Sequence, residues 1–280
     1  MKLEQGQVAV VTGAASGIGR ALVDAFAGRG LAVVLADVEQ GPLDAAVEEL
    51  TATGASALGA RVDVRRPEDL ESLAAKVQAE FGRVDVLCNN AGVIVPRAPV
   101  WEQSYADWQW IVDVNLHGVA NGLRAFVPAM VAAGRGHVVN TSSMAGLTTI
   151  PGGGNGAYSA TKHAVVGLSE TLRLELAEAA PAMGVTVLCP GPVPSRIHDA
   201  GRNRPADLPA TEPAESLAPG AKSWLTLTRV PAEDVAAQVL DAVETGREYV
   251  LTHADVLPLA RARAEHLLAQ LPIAVPGGTA

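Results

Sequence analysis

Tyr158 and Lys162 stand four residues apart in the segment Tyr158-Ser159-Ala160-Thr161-Lys162. On a helix that spacing puts a phenol and an ammonium on one face. A free tyrosine titrates near ~10 and is a poor base at neutral pH. A fixed cation beside it favours the phenolate, and a downward shift of ~2–3 units takes roughly 3–4 kcal/mol of differential stabilisation. Such a pair can give up a proton in a reduction and accept one in an oxidation. The spacing by itself is common on helix surfaces, so its meaning depends on what accompanies it.

Upstream, an apolar run ends at Asn140-Thr141-Ser142-Ser143, just before a glycine-rich connection to the tyrosine segment. A hydroxyl there can donate to an oxygen on which charge develops. Asn89-Asn90-Ala91-Gly92 closes an earlier apolar run, and Asn115 lies within a long helical stretch. Near the N-terminus, Thr12-Gly13-Ala14-Ala15-Ser16-Gly17-Ile18-Gly19 sits between an apolar run and a helix-period segment. Glycines there let the backbone approach a pyrophosphate, and the helix N-terminus offers free N–H groups and a positive dipole end. Asp37 closes the next apolar run, near the offset expected of an acid that holds the adenosine ribose. No basic residue follows it and Ala15 occupies the turn, so NAD is expected rather than NADP.

These groups must be positioned by the elements around them. Apolar runs at 7–12, 31–36, 57–62, 84–88, 136–141, 185–189 and 248–252 read as strands. Helical segments are expected at 17–28, 42–53, 67–81, 104–133, 158–179 and 231–244. Apolar strands alternating with helices indicate an α/β fold, a parallel sheet covered on both faces in three α/β/α layers. Right-handed crossovers make it doubly wound, with its ligand crevice at the carboxyl ends of the strands. We expect one domain over 1–280, with residues 190–230 forming a lid, because that stretch is too long for an ordinary loop. Residues 253–280 form a tail with one helix at 257–271.

Composition narrows the function classes. Across 280 residues the net charge is −9, which argues against nucleic acid or an anionic membrane as the main partner. No run is long and apolar enough to span a bilayer, and no signal segment precedes the first strand, so a cytoplasmic protein is expected. Cys88 and Cys189 end strand-like runs and read as buried free thiols. The six histidines show no metal-ligand spacing, so no metal site is expected. His163, beside Lys162, reads as packing or solvent-facing. Arg196, His198, Arg202 and Arg204 read as a solvated part of the lid, with recognition of an acidic substrate as the alternative. Trp101, Trp108 and Trp110 read as packing or subunit contacts, with substrate contact as the alternative.

Taken in chain order, TGAASGIG (Thr12–Gly19), Asp63-Val64, NNAG (Asn89–Gly92), Asn115, Ser142-Ser143, YSATK (Tyr158–Lys162) and PGPVPS (Pro190–Ser195) resemble the short-chain dehydrogenase/reductase family. The resemblance covers about residues 3–195, more loosely to 252. It implies a Rossmann-type seven-stranded sheet ordered 3-2-1-4-5-6-7 and an NAD(H)-dependent interconversion of a secondary alcohol and a ketone. It further implies that Tyr158 transfers the proton, Ser143 orients the substrate oxygen, Lys162 holds the nicotinamide ribose and lowers the Tyr158 pKa, and Asn115 anchors a proton-relaying water. Gly13, Ser16, Gly17, Ile18 and Gly19 would cradle the dinucleotide, with Asp37 on its ribose and Asp63 and Val64 beside the adenine. Asn90, Ala91 and Gly92 would line the ribose region, and Pro190, Gly191, Val193 and Ser195 the nicotinamide. A homotetramer or dimer built on the helices at 104–133 and 158–179 is also implied.

The sequence departs from the family pattern in three places. The connection from Ser143 to Tyr158 is about two residues longer than usual, which leaves Ser142 as an alternative to Ser143. Ser195 stands where threonine is usual, and the helical tail is an addition. The block at 249–253 with that tail resembles members acting on bulky or aromatic alcohols, lignin-derived ones included. Rival expectations are an NADPH-dependent 3-oxoacyl-thioester reductase and a dinucleotide-binding protein without turnover.

Overall fold

The computed structural model describes residues 1–149, 152–209 and 228–270. Its centre is a parallel sheet of β1 (Val8–Thr12), β2 (Ala32–Asp37), β3 (Ala57–Arg61), β4 (Val86–Asn89), β5 (Gly136–Thr141), β6 (Met183–Cys189) and β7 (Tyr249–Leu251). The strands lie in the order β3-β2-β1-β4-β5-β6-β7, as expected of a Rossmann-type sheet. Every residue of β1 and β5 is buried, whereas edge strand β3 is only half-buried. That difference explains why β3 carries the weaker apolar run.

Alternate strand residues serve opposite layers. Ala9, Val11, Val33, Leu35, Val86, Cys88 and Val139 pack with α1 (Gly17–Gly28), α2 (Gln40–Ala52) and α7 (Ala232–Thr245). Val8, Val10, Val34, Leu87 and Val138 face α3 (Pro67–Phe81), α4 (Tyr105–Val112), α5 (Gly118–Ala132) and α6 (Gly156–Ala179). Each fully buried Val, Leu or Phe contributes roughly 1.5–3 kcal/mol, so the two-sided sheet carries most of the apolar stabilisation. The α3 boundaries follow local chemistry: Pro67 opens it, Glu68 and Asp69 sit in its first turn, and Gly82 ends it in the left-handed region at φ 67°.

The stretch expected as one helix at 104–133 is instead α4 and α5 joined by a π-helical turn, Asp113–His117. Such a turn adds one residue to the register and is frequent at functional sites. At the other end of the chain, a 3-10 turn (Ala254–Val256) leads into α8 (Leu257–Leu268), which buries none of its residues. The middle of the expected lid, 210–227, and the end of the tail, 271–280, lie outside the described residues. Among the described residues no helix is long and apolar enough to cross a membrane.

Candidate active site

The chain runs outward from β1 to β3 and then returns to β4 on the other side of β1, so a crevice opens between the carboxyl ends of β1 and β4. Its floor is the glycine turn. Gly13 and Gly17 hold φ of +64° and +55°, and a Cβ on Gly19 would sit 2.0 Å from the Gly13 carbonyl oxygen. The turn is stitched to β4: the Thr12 hydroxyl accepts the N–H groups of Asn90 (2.9 Å) and Ala91 (3.1 Å), and Asn90 Nδ2 donates to the Thr12 carbonyl at 3.0 Å. Ser16 caps α1 without using its side chain, leaving first-turn N–H groups facing the crevice.

Asp37 lies across the turn from that helix end. Its carboxylate accepts the Ala15 N–H at 2.9 Å and the Glu39 N–H at 3.0 Å. One cleft is lined by Gly13, Ser16, Gly17, Ile18, Asp37, Asp63, Val64, Asn90, Ala91 and Gly92 and continues to Tyr158, Lys162, Pro190 and Ser195. Gly191 and Val193 line the adjoining cavity with Ser143 and Tyr158. Gly19 serves the packing of the turn itself. Asp63 reaches the cleft with its carboxylate already engaged: Arg65 grips both oxygens, at 3.0 and 2.6 Å. Burial raises that carboxyl's pKa, and the Arg65 hydrogen bonds outweigh it, so the group titrates below its ordinary value. Asn121, which no motif singled out, donates to the Val64 carbonyl at 2.9 Å and fixes that wall.

At the other end of the cleft, Tyr158 and Lys162 share the inner face of α6, and both are buried. Lys162 Nζ lies 5.7 Å from the Tyr158 ring centroid and donates to the Thr141 carbonyl at 3.0 Å. Burial lowers the Lys162 pKa to about 8. Burial also raises the Tyr158 phenol, and the facing Ser143 hydroxyl only partly offsets this.

Ser142 borders the cleft and Ser143 the adjoining cavity, but their hydroxyls have different partners. Ser143, two residues beyond β5, lines the adjoining cavity, accepts the Ala145 N–H at 3.1 Å and donates to the Pro190 carbonyl at 3.4 Å. Ser142 donates instead to the backbone carbonyl of Lys162 at 2.7 Å. Asn115 sits in the π turn, where its Oδ1 accepts the Val93 N–H at 2.8 Å and its Nδ2 donates to the Val93 carbonyl at 3.0 Å. It is wholly buried and braces the strand exit rather than lining the cleft. The longer Ser143–Tyr158 connection is accommodated by Gly152, Gly153 and Gly154 at φ of 84°, 64° and 81°. Arg97 donates to the carbonyls of Gly152 (3.2 Å) and Gly153 (2.9 Å), pinning the connection to the loop after β4.

Of the residues read as a solvated part of the expected lid, Arg196, His198 and Arg202 are exposed, and Arg196, Arg202 and Arg204 also make ion pairs. Glu39 receives Arg196 at 3.3 Å, with Arg202 and Asn203 each at 2.6 Å. Arg204 meets Asp107 at 2.6 Å and stacks 5.2 Å from the Trp110 ring. Trp110 is buried and lines the cleft, Trp108 is half-buried against the core, and Trp101 is exposed. His163 Nδ1 meets the Ser159 carbonyl at 2.9 Å, an intrahelical contact. Cys88 and Cys189 are free and buried, and burial pushes the Cys189 thiol up to about 12. No cluster of potential metal ligands exists among the described residues.

The cradle of glycines, the free helix end and the acid at the end of β2 fit a dinucleotide, adenosine half toward Asp37 and reactive half toward Tyr158. Comparison with known proteins agrees with that fit. A family model described as short chain dehydrogenase matches residues 7–205. The chain is 38% identical over 253 residues to a 1-deoxy-11-beta-hydroxypentalenate dehydrogenase of Streptomyces exfoliatus, covering 90% of this chain and 84% of that one. It superposes with TM-score 0.87 and 39% identity on a short chain dehydrogenase/reductase from Burkholderia phymatum in complex with NAD, over 100% of both chains. It also superposes, with TM-score 0.69 and 31% identity, on a metagenomic short-chain oxidoreductase in complex with NADP, over 88% of this chain and 96% of that one.

Proposed function

We propose that this chain, which belongs to the short chain dehydrogenase family of oxidoreductases acting on CH–OH groups, is an NAD(H)-dependent dehydrogenase of bulky, apolar secondary alcohols. The observation that carries the reading is the meeting of Ser143 and Tyr158 in one cavity at the end of the glycine-floored cleft. Bound nicotinamide would supply the hydride acceptor. With its phenol ionised beside the Lys162 ammonium, Tyr158 would take the hydroxyl proton as the carbinol hydrogen leaves as hydride, so that alcohol and oxidised cofactor would give ketone, reduced cofactor and, once the phenol releases it, a proton. Ser143 holds the substrate oxygen by its hydroxyl, and Lys162 reaches the ribose side of the cleft from beneath Gly92. Asn115 keeps the exit of β4 in register for both. In the reductive direction Tyr158 returns the proton.

The preference for NAD rests on Asp37, whose charge opposes a 2′-phosphate, and on Glu39 beside it, which occupies Arg196 and Arg202. The preference for an apolar substrate rests on the cavity beside Ser143, whose walls include Ile18, Ile94, Pro192, Val193, Pro194 and Ile197 together with His198 and Arg229.

Tyr158→Phe removes the transferable proton and keeps the ring. Turnover of a panel of bulky secondary alcohols, followed at the reduced-nicotinamide absorbance, is expected to fall by ~10²–10⁴-fold with NAD binding retained. Near-normal turnover in that variant would end the assignment. Parallel titrations with NADH and NADPH test the cofactor: tighter binding of NADPH would transfer the reading to an NADPH-dependent reductase.

A further inference from the structure

His253 follows β7, beyond the last family motif, and is almost fully buried. Its ring is wedged against the loop that leaves β6. The Gly191 N–H donates to His253 Nδ1 at 3.1 Å, and His253 Nε2 lies 3.1 Å from the Pro192 carbonyl oxygen. A backbone N–H can only donate and a carbonyl can only accept, so Nδ1 is the acceptor and Nε2 carries the proton. The Thr252 hydroxyl also lies 2.6 Å from Nδ1 and is compatible with this tautomer, since a hydroxyl can donate or accept. Gly191 is tied to this ring by space as well, since a Cβ there would lie 2.7 Å from the imidazole.

The clamped peptide is part of the reaction cavity. The Pro190 carbonyl takes the Met144 N–H at 2.9 Å and the Ser143 hydroxyl at 3.4 Å, while Pro190, Gly191, Pro192 and Val193 line the wall facing Tyr158. The returning stem of the lid is held from the same turn. The Val230 N–H donates to the Pro192 carbonyl at 3.2 Å, and Asp255 accepts the Thr228 N–H at 3.0 Å. The turn after β7 thus grips both stems of the segment that departs at Pro190 and returns at Thr228.

We infer that His253 is a positioning residue for hydride transfer: its Nε2–H imidazole fixes the Gly191–Pro192 peptide, and with it the wall against which the reactive end of the cofactor rests. This rests on the dinucleotide reading above, which places the nicotinamide at that wall. It gives the segment beyond β7 a role in the reaction, exerted through backbone groups that a small displacement would misalign.

The test compares His253→Leu, which fills the space without either hydrogen bond, with His253→Asn, whose amide oxygen can still accept from Gly191. Sites are counted by NADH titration, and kcat and the isotope effect of a carbinol-deuterated alcohol are measured per binding site. His253→Leu is expected to lower kcat about ten-fold or more and to raise the isotope effect, with a smaller change in KM for the alcohol. His253→Asn is expected to recover most of the loss. If His253→Leu does not accumulate as folded protein, Gly191→Ala takes its place, and its defect is expected to be relieved in the Gly191→Ala/His253→Ser double variant. A fall in melting temperature and in the number of sites, with kcat and isotope effect per site unchanged, would overturn the inference. Wild-type protein that binds NADH yet turns over no alcohol would instead overturn the dehydrogenase reading.

Discussion

Ser142 donates its hydroxyl to the backbone carbonyl of Lys162 at 2.7 Å, so the end of β5 is bonded to the helix that carries the candidate base. Its neighbour Ser143 faces the cavity instead. Adjacent residues in extended backbone point to opposite sides, and here one hydroxyl is spent on the helix backbone while the other lies in the cavity with Tyr158. Ser142→Ala is therefore expected to cost about 1–2 kcal/mol and a few degrees of melting temperature, with kcat nearly unchanged. Ser143→Ala should show the reverse: a near-native melting temperature and a kcat lower by ~10²–10³-fold. Thermal unfolding and turnover measured on both variants decide it, and the opposite pattern would reassign the substrate hydroxyl to Ser142.

Lys162 is held at a cost to the fold. Burial takes its pKa to about 8, below the ordinary value of 10.5. A lysine depressed on folding binds fewer protons in the native than in the unfolded state between those two values, so stability rises with pH across that window. Below pH 8 the penalty is fully present, on the order of 3 kcal/mol. Lys162→Met is thus expected to be inactive yet more stable than wild type at pH 7 without cofactor, with the advantage shrinking as pH rises through 8 toward 10.5. Urea unfolding of both proteins across that range measures it. A difference that does not change with pH would refute the account.

The features most legible in the sequence were those carried by local rules. The glycine turn, the helix over 67–81 and the buried strands each follow from backbone freedom, a first-turn proline or apolar runs, and the structure bears them out. The strand order came from the family motifs in sequence, since crossover rules alone admit several orders. What stayed hidden depends on distant partners or on a shift of one residue. Glu39 pairs with Arg202 across 163 positions, so the lid arginines looked free. The π turn that aims Asn115 inward changes the helical register without leaving a compositional mark. The pairing of Asp63 with Arg65, two residues on, likewise left no mark in the sequence. His253 looked scattered because its two bonds go to backbone groups, which no side-chain pattern announces.

The segment after β6 has a second anchor in the ion pair between Arg204 and Asp107, 2.6 Å long with side chains 9% and 6% exposed. Arg204 also stacks on Trp110, while its Nε and Nη2 are buried without hydrogen-bond partners. A buried pair of this kind contributes little net stability over an apolar replacement, yet losing one partner is costly because the other charge stays desolvated. Asp107→Asn strands a guanidinium that already has two unsatisfied donors, and should cost ~3–5 kcal/mol. Arg204→Met should cost less, since it removes those donors and leaves Asp107 with the Ser104 hydroxyl at 2.9 Å. Both variants free the segment Ile197–Asn203, whose residues Ala200 and Asn203 line the cofactor cleft, so KM for NAD should rise in each while KM for the alcohol moves less. Denaturant unfolding together with initial rates at varied NAD checks both halves. A larger loss of stability in Arg204→Met than in Asp107→Asn would show that the arginine's packing, and not the stranded charge, governs this anchor.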